Sequence, residues 1–181
     1  MTQKHLVKLA VAGLAAVLAS WLASQKPVDH QTARVGPGQY RVTYVYDGDT
    51  IKLDNGERVR LIGIDTPETH VNEKLARDVQ RRKSGRQTQL AMGEKAAAFT
   101  RSLLAGQDVR LEFDVEQRDR YGRLLAYVYL PDGTFVNEKI IREGYAYPLT
   151  IPPNVRHADE FKQWFDEARH ARRGLWSQGE R

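Results

Sequence analysis

The chain has 181 residues, room for one well-cored domain and little for two, and its 41% hydrophobic and 28% charged content is that of a folded protein. A net charge of +5 allows a polyanionic partner without demanding one. There is no cysteine, which excludes disulfides, zinc–thiolate sites and thiol nucleophiles, and the five histidines show no His-x-His or His-Glu-x-x-His spacing, which argues against a zinc hydrolase.

Lys4, His5 and Lys8 precede an uncharged run from Leu9 to Ala23 (LAVAGLAAVLASWLA). A basic start followed by about 15 apolar residues has the anatomy of an export signal. Two outcomes stay open for residues 1–24: a cleaved signal peptide, or a retained segment that anchors the chain through residues 6–23, with Trp21 suited to the interface. Cleavage would remove two lysines and leave 26 basic residues against 23 acidic ones, a net charge of +3. Either outcome predicts an exported protein, secreted, periplasmic or membrane-anchored. Residues 25–39 (QKPVDHQTARVGPGQ) lack periodicity and carry Pro27, Gly36, Pro37 and Gly38, so they read as a flexible linker to a domain over residues 40–181.

Within that domain Tyr40–Tyr46 predicts a strand with Val42, Tyr44 and Tyr46 on one face. Asp47-Gly48 is a turn signal, Thr50–Leu53 a second strand, and Asn55-Gly56 a strong hairpin signal leading into a third strand over Arg58–Ile64. Residues 69–89 are read as a connecting segment. Between Lys74 and Arg86, Lys74, Arg77, Arg81, Arg82, Lys83 and Arg86 stand against Asp78 alone, which fits either a solvated charged loop or a nucleic-acid contact. Leu90–Leu104 predicts a helix, with Met92, Ala96, Phe99 and Leu103 on its apolar line and Gly106 just past its end. Val109, Leu111, Phe113 and Val115 alternate as a strand, and Leu124–Leu130 is another. Two helices follow, over about Phe135–Arg142 and Arg156–Arg172, the second with Phe161, Trp164, Phe165 and Ala168 inward. The order βββ-α-ββ-α-α predicts an α+β fold: a five-stranded OB-type β-barrel, partly open, with about three packed helices.

Four short pieces carry acid and base: Asp47-Gly48-Asp49-Thr50, Arg60, Asp65-Thr66-Pro67-Glu68 and Tyr121-Gly122-Arg123. Each alone has an ordinary structural reading as a turn, a helix cap or a hairpin tip. Together they are too many charges for a routine barrel rim. Carboxylate oxygens suit a hard cation such as Ca²⁺ or Mg²⁺, and arginine forks match two phosphate oxygens at once, so the set suits one divalent ion beside one phosphate. That chemistry predicts a phosphodiesterase acting on nucleic acid.

The segments VYDGDTIKL, RLIGIDTPET, DRYGRLLAYVYL and GTFVNEKIIREGYA, with the closing Gly174-Leu175-Trp176, resemble the thermonuclease family over residues 40–176. These are staphylococcal-nuclease-like, Ca²⁺-dependent nucleases with an OB-fold core. The resemblance implies hydrolysis of DNA and RNA at the 5′-O–P bond, leaving 3′-phosphate ends. It implies that Asp49 and Asp65 are Ca²⁺ carboxylates, that Thr66 gives a backbone carbonyl, that Glu68 is the general base, and that Arg60 and Arg123 clamp the phosphate. Tyr121 matches a substrate-side tyrosine. The segment after Glu68 is longer and more basic than in the family archetype, so Arg81, Arg82 and Lys83 are expected to hold the nucleic-acid backbone. A monomer is expected. A rival, a nucleic-acid-binding module without catalysis, would be marked by loss of the acidic or arginine site residues, and all are present.

Overall fold

A strand whose inward positions are Val, Ile and Leu must find neighbours for its backbone, and here five such strands close on one another. The computed structural model describes residues 38–82 and 84–178. The expected export segment, most of the expected linker and Lys83 lie outside the described residues. Strands β1 (Gln39–Val45), β2 (Thr50–Leu53) and β3 (Arg58–Leu61) form a meander. Strand β4 (Gly63–Asp65) follows, and after a helical stretch come β5 (Asp108–Glu112) and β6 (Leu124–Tyr129). The barrel closes in the order β1-β2-β3-β6-β5, with β3 and β6 parallel and every other pair antiparallel. Val42, Val45, Ile51, Leu53, Val59, Leu61, Val109, Leu111, Leu124, Ala126 and Val128 are buried in it. The five-stranded barrel of an α+β fold is as expected, but it is closed rather than partly open, because β1 pairs with β5 as well as with β2.

Among the described residues four helices accompany the barrel where about three were expected: α1 (Glu73–Arg82), α2 (Arg86–Leu104), α3 (Val136–Arg142) and α4 (Ala158–His170), with a 3₁₀ turn over Gly174–Gln178. The additional one is α1. It occupies the basic stretch whose bland reading was a solvated loop, and it buries only Leu75 and Asp78. Helix α2 buries Gln89, Met92, Gly93, Ala96, Ala97, Thr100 and Leu104, and the small Gly93, Ala96 and Ala97 let it lie close to its neighbours. Asn137 on α3 is fully buried. Its Nδ2 donates to Ile62 O (2.8 Å) and its Oδ1 accepts from Val128 N (2.9 Å), tying the helix to the chain between β3 and β4 and to β6. Phe161 and Ala168 of α4 are buried and Trp164 and Phe165 half-buried, the inward face that periodicity predicts.

Three local departures follow from backbone geometry. In β1 the pairing slips between Val42 and Tyr44, so Thr43 is an extra residue and a bulge. Val42 and Val45 therefore both face the core, while Tyr44 and Tyr46, expected beside Val42, are exposed. The expected third strand over Arg58–Ile64 is broken at Gly63, whose φ of +83° suits glycine. Beyond the break, β4 leaves the barrel and pairs with β7 (Tyr147–Leu149), a strand the sequence did not disclose, with Asp65 opposite Tyr147. Strand β5 ends at Glu112, short of Val115, which is exposed.

Candidate active site

The barrel's strand ends deliver the acidic and basic pieces to one place. Thr50 pairs with Arg60 across β2 and β3, and Leu61 N donates to Asp49 O (2.9 Å), which sets Asp49 beside Arg60. The turn at Gly63 then returns the chain, so that Arg60 donates to Ile64 O (2.9 Å) and reaches Asp65 (3.4 Å). Asp49 Oδ1 accepts from the Arg60 guanidinium at 2.9 Å and from Thr50 Oγ1 at 3.1 Å. Asp49 Oδ2 accepts from Thr66 N (2.8 Å) and Thr66 Oγ1 (2.9 Å). Helix α2 backs both loops: Thr100 Oγ1 donates to Gly48 O (2.8 Å), and Gly93 lies against the Glu68 backbone so closely that a Cβ there would stand 2.5 Å from the Glu68 carbonyl carbon.

Burial would make ionised Asp49 costly, but Arg60, Lys74 and the Thr66 N–H outweigh that and hold its carboxyl below the usual range. Asp47 meets the opposite balance. Burial and the adjacent Asp49 charge push it up to about 7, and its Oδ1 accepts from Asp49 N (3.0 Å). Burial opposes the charges on Arg60 and Lys74 as well, yet the surrounding carboxylates, Asp49 and Asp65 foremost, keep both more firmly protonated than usual.

The second arginine immediately precedes β6. Arg60 pairs with Leu125, and Arg123, two residues before it, lies toward the same side of the pleat. Both arginines line one cleft of about 470 Å³, together with Gly63, Asp119, Tyr121 and Ile151. Arg123 is oriented by Asp119, whose Oδ2 accepts from its Nε (2.8 Å) and its terminal nitrogen (2.7 Å). The hairpin carrying it is held by Arg118, which spans Glu57 (2.7 and 3.0 Å) and Gly122 O (2.8 Å). Tyr121 is 60% exposed at the mouth, with the Arg123 guanidinium 5.5 Å from its ring centre.

Arg81 and Arg82 project from α1 toward Asp65 rather than standing free. The Arg81 guanidinium lies 2.8 Å from Asp78 and 3.6 Å from Asp65, on a side chain 60% exposed. Arg82 is only 10% exposed: it sits 3.3 Å from Asp65 and stacks 3.4 Å from the centre of the Tyr147 ring. Arg82 thus serves first to dock α1 on β4 and β7. Lys83 is outside the described residues.

Sequence reasoning did not single out Lys74, yet it is central. Its Nζ lies 2.7 Å from Glu68 Oε1, 2.8 Å from Thr66 O and 3.2 Å from Asp65 Oδ1. Asn72 donates to the other Glu68 oxygen (2.7 Å). The available signal was Asp78, the lone acid of the basic stretch, which stands four residues after Lys74 and three and four before Arg81 and Arg82.

The donor set fits a hard divalent cation, since Asp49, Asp65, Thr66 C=O and Glu68 all offer oxygen. Among the described residues no three acidic or imidazole side chains are grouped as metal ligands. Two of the expected metal oxygens, Asp65 Oδ1 and Thr66 O, converge instead on the Lys74 ammonium, together with the expected base Glu68.

A family model described as staphylococcal nuclease homologue matches residues 58–178. A thermonuclease from Staphylococcus hyicus is 38% identical over 141 residues, 76% of this chain and 75% of that protein. A second thermonuclease, from Staphylococcus intermedius, is 37% identical over 171 residues, 93% of each chain. Endonuclease YncB from Bacillus subtilis (strain 168) is 36% identical over 136 residues, 72% of this chain and 58% of that one.

Proposed function

The chain belongs to the family of staphylococcal nuclease homologues, and on that premise we propose that it is an exported, Ca²⁺-dependent nuclease of DNA and RNA. It is a hydrolase of phosphodiester bonds, as its thermonuclease and endonuclease relatives are named. The proposed cut is at the 5′-O–P bond, leaving a 3′-phosphate and a 5′-hydroxyl. The observation that carries this reading is the meeting of Asp49, Arg60 and Asp65 at the barrel's edge, with Arg123 on the same cleft as Arg60.

A phosphodiester repels an incoming water oxygen, and its transition state gathers charge on the equatorial oxygens. Two guanidinium forks already aimed by Asp49, Asp65 and Asp119 stabilise that charge more than the ground state's. Asp49, Asp65 and the Thr66 carbonyl are the proposed holders of Ca²⁺, which when bound adds positive charge beside the phosphate and favours deprotonation of the attacking water. Glu68 accepts one proton from that water as its oxygen bonds to phosphorus. The 5′-oxygen departs with the electron pair of the broken P–O bond and takes up a proton. Asn72 donates to one oxygen of the Glu68 carboxylate and so helps fix where that base stands. Tyr121 and Arg81, the exposed groups at the margins, are proposed substrate contacts.

The proposed export rests on the basic start and the apolar run over residues 9–23. N-terminal sequencing of protein recovered outside the cytoplasm tests it, because a chain beginning near residue 25 means a cleaved signal and an intact start in the membrane fraction means an anchor. The nuclease reading is tested by digesting plasmid DNA and single-stranded RNA with the full chain, in Ca²⁺ and in chelator, with Arg60→Ala as the control for contamination. Cleavage that requires Ca²⁺ and is lost in the variant is expected. Folded protein that binds nucleic acid without cutting it would replace the reading with a binding module.

A further inference from the structure

Helix α1 brings one ammonium into the place where the proposed metal oxygens meet. Lys74 Nζ touches Thr66 O (2.8 Å), Glu68 Oε1 (2.7 Å) and Asp65 Oδ1 (3.2 Å), and Asp78 Oδ2 stands at 3.6 Å. An ammonium has three N–H donors, and these oxygens are enough to occupy all of them. Lys74 is therefore no loose surface lysine: its side chain is 29% exposed, and the helix that carries it is pinned at its far end by Arg82 between Asp65 and Tyr147.

The charge balance makes the arrangement self-sufficient. Asp49, Asp65, Glu68 and Asp78 face Arg60, Lys74, Arg81 and Arg82, four carboxylates against four cations. A divalent ion added to this cluster with Lys74 still seated would place its two positive charges at contact distance from the ammonium's one, among groups with little water to screen them. The ion and the ammonium both need Asp65 and the Thr66 carbonyl oxygen, so one must leave for the other to enter.

We propose that Lys74 is a built-in competitor of the divalent cation: its ammonium fills the oxygen cage of the metal-free protein, and Ca²⁺ enters only as Lys74 withdraws. The affinity for metal is then set by the stability of α1 in its docked position, because only the fraction with Lys74 withdrawn is competent to bind. This inference rests on the Ca²⁺ reading above.

The test is calorimetric titration of Ca²⁺ into the wild-type chain and into Lys74→Met, which keeps the unbranched stem and removes the charge. The variant is expected to bind at least about tenfold more tightly, as an undocking requirement is lifted. Binding by the variant alone gives the same answer. Equal or weaker binding by the variant overturns the inference and leaves the Ca²⁺ reading standing. Absence of binding by both proteins overturns that reading and this inference with it. A second measurement needs no variant: the rate at which acetic anhydride labels Lys74 in the wild-type chain, followed by mass spectrometry, with and without Ca²⁺ in excess. A severalfold faster rate in Ca²⁺ is expected, since a withdrawn amine is open to reagent. An unchanged or slower rate overturns the inference.

Discussion

Gly93→Ala isolates the effect of loop position on the chemistry. Gly93 lies on the buried face of α2, directly behind the backbone of Glu68. An added Cβ would stand 2.5 Å from the Glu68 carbonyl carbon, closer still to its oxygen, and 3.0 Å from Pro67 O. Carbon atoms rest at about 3.5 Å or more, so the loop must retreat by about 1 Å. All the obstructing atoms are backbone, and no side chain can swing aside to absorb the insult. For stability the terms nearly offset: alanine is worth about 1 kcal/mol over glycine within a helix, and overpacking costs about 1–3 kcal/mol. The net loss is about 0–2 kcal/mol, a fall in Tm of no more than about 8 °C for a domain of this size. Catalysis has no such compensation, because a displacement of about 1 Å at the base costs about a hundredfold in rate. The assay is kcat on a fluorogenic oligonucleotide under saturating substrate, paired with a thermal melt of the same sample. A folded variant with kcat within about threefold of wild type would refute the claim that α2 sets the position of Glu68.

Arg123→Lys removes the fork that Asp119 aligns and is expected to lower kcat by at least about tenfold with little change in Tm; near-normal turnover would remove Arg123 from the phosphate clamp. Gly63→Ala combines a positive φ with a Cβ driven into the Phe161 ring, so urea melts should show a loss of about 2–4 kcal/mol, and a neutral result would mean that β4 and α4 can separate freely. Asp114 gives a pH dependence. Burial would raise its carboxyl, but the Arg156 N–H (3.2 Å) and the Tyr127 hydroxyl (2.9 Å) outweigh it and hold the folded value below the ordinary one. The resulting stabilisation is complete above the unfolded carboxyl's pKa of about 3.9 and is lost as pH falls through the lower folded value. Urea melts of wild type and Asp114→Asn should therefore stand apart at about pH 6 and draw together as pH falls through the lowered folded value, whereas a constant gap would show that the charge on Asp114 is immaterial.

Alternation of apolar residues, Asp-Gly and Asn-Gly turn signals and glycine stops were enough to place five barrel strands and the helices α2, α3 and α4, because each signal acts within a few residues of itself. The motif residues Asp49, Arg60, Asp65, Glu68 and Arg123 were likewise legible as types suited to a cation and a phosphate. What local pattern could not carry was any feature stabilised from a distance. The strand expected over Arg58–Ile64 divides because Gly63 must clear Phe161, about a hundred residues further on, and because Asn137 claims Ile62 O. Strand β7 exists because β4 offers it an edge. Helix α1 has almost no apolar face to announce it, and it stands on Leu75 and on ion pairs with Asp65 at the end of β4 and Glu68 in the loop that follows. The composition of the chain by itself determined which charges exist and which barrel they decorate. Only the tertiary structure decided who pairs with whom, since a buried carboxylate takes whichever cation the fold brings within reach, and at Asp65 that is Lys74 from a helix of its own as well as Arg60 from the neighbouring strand.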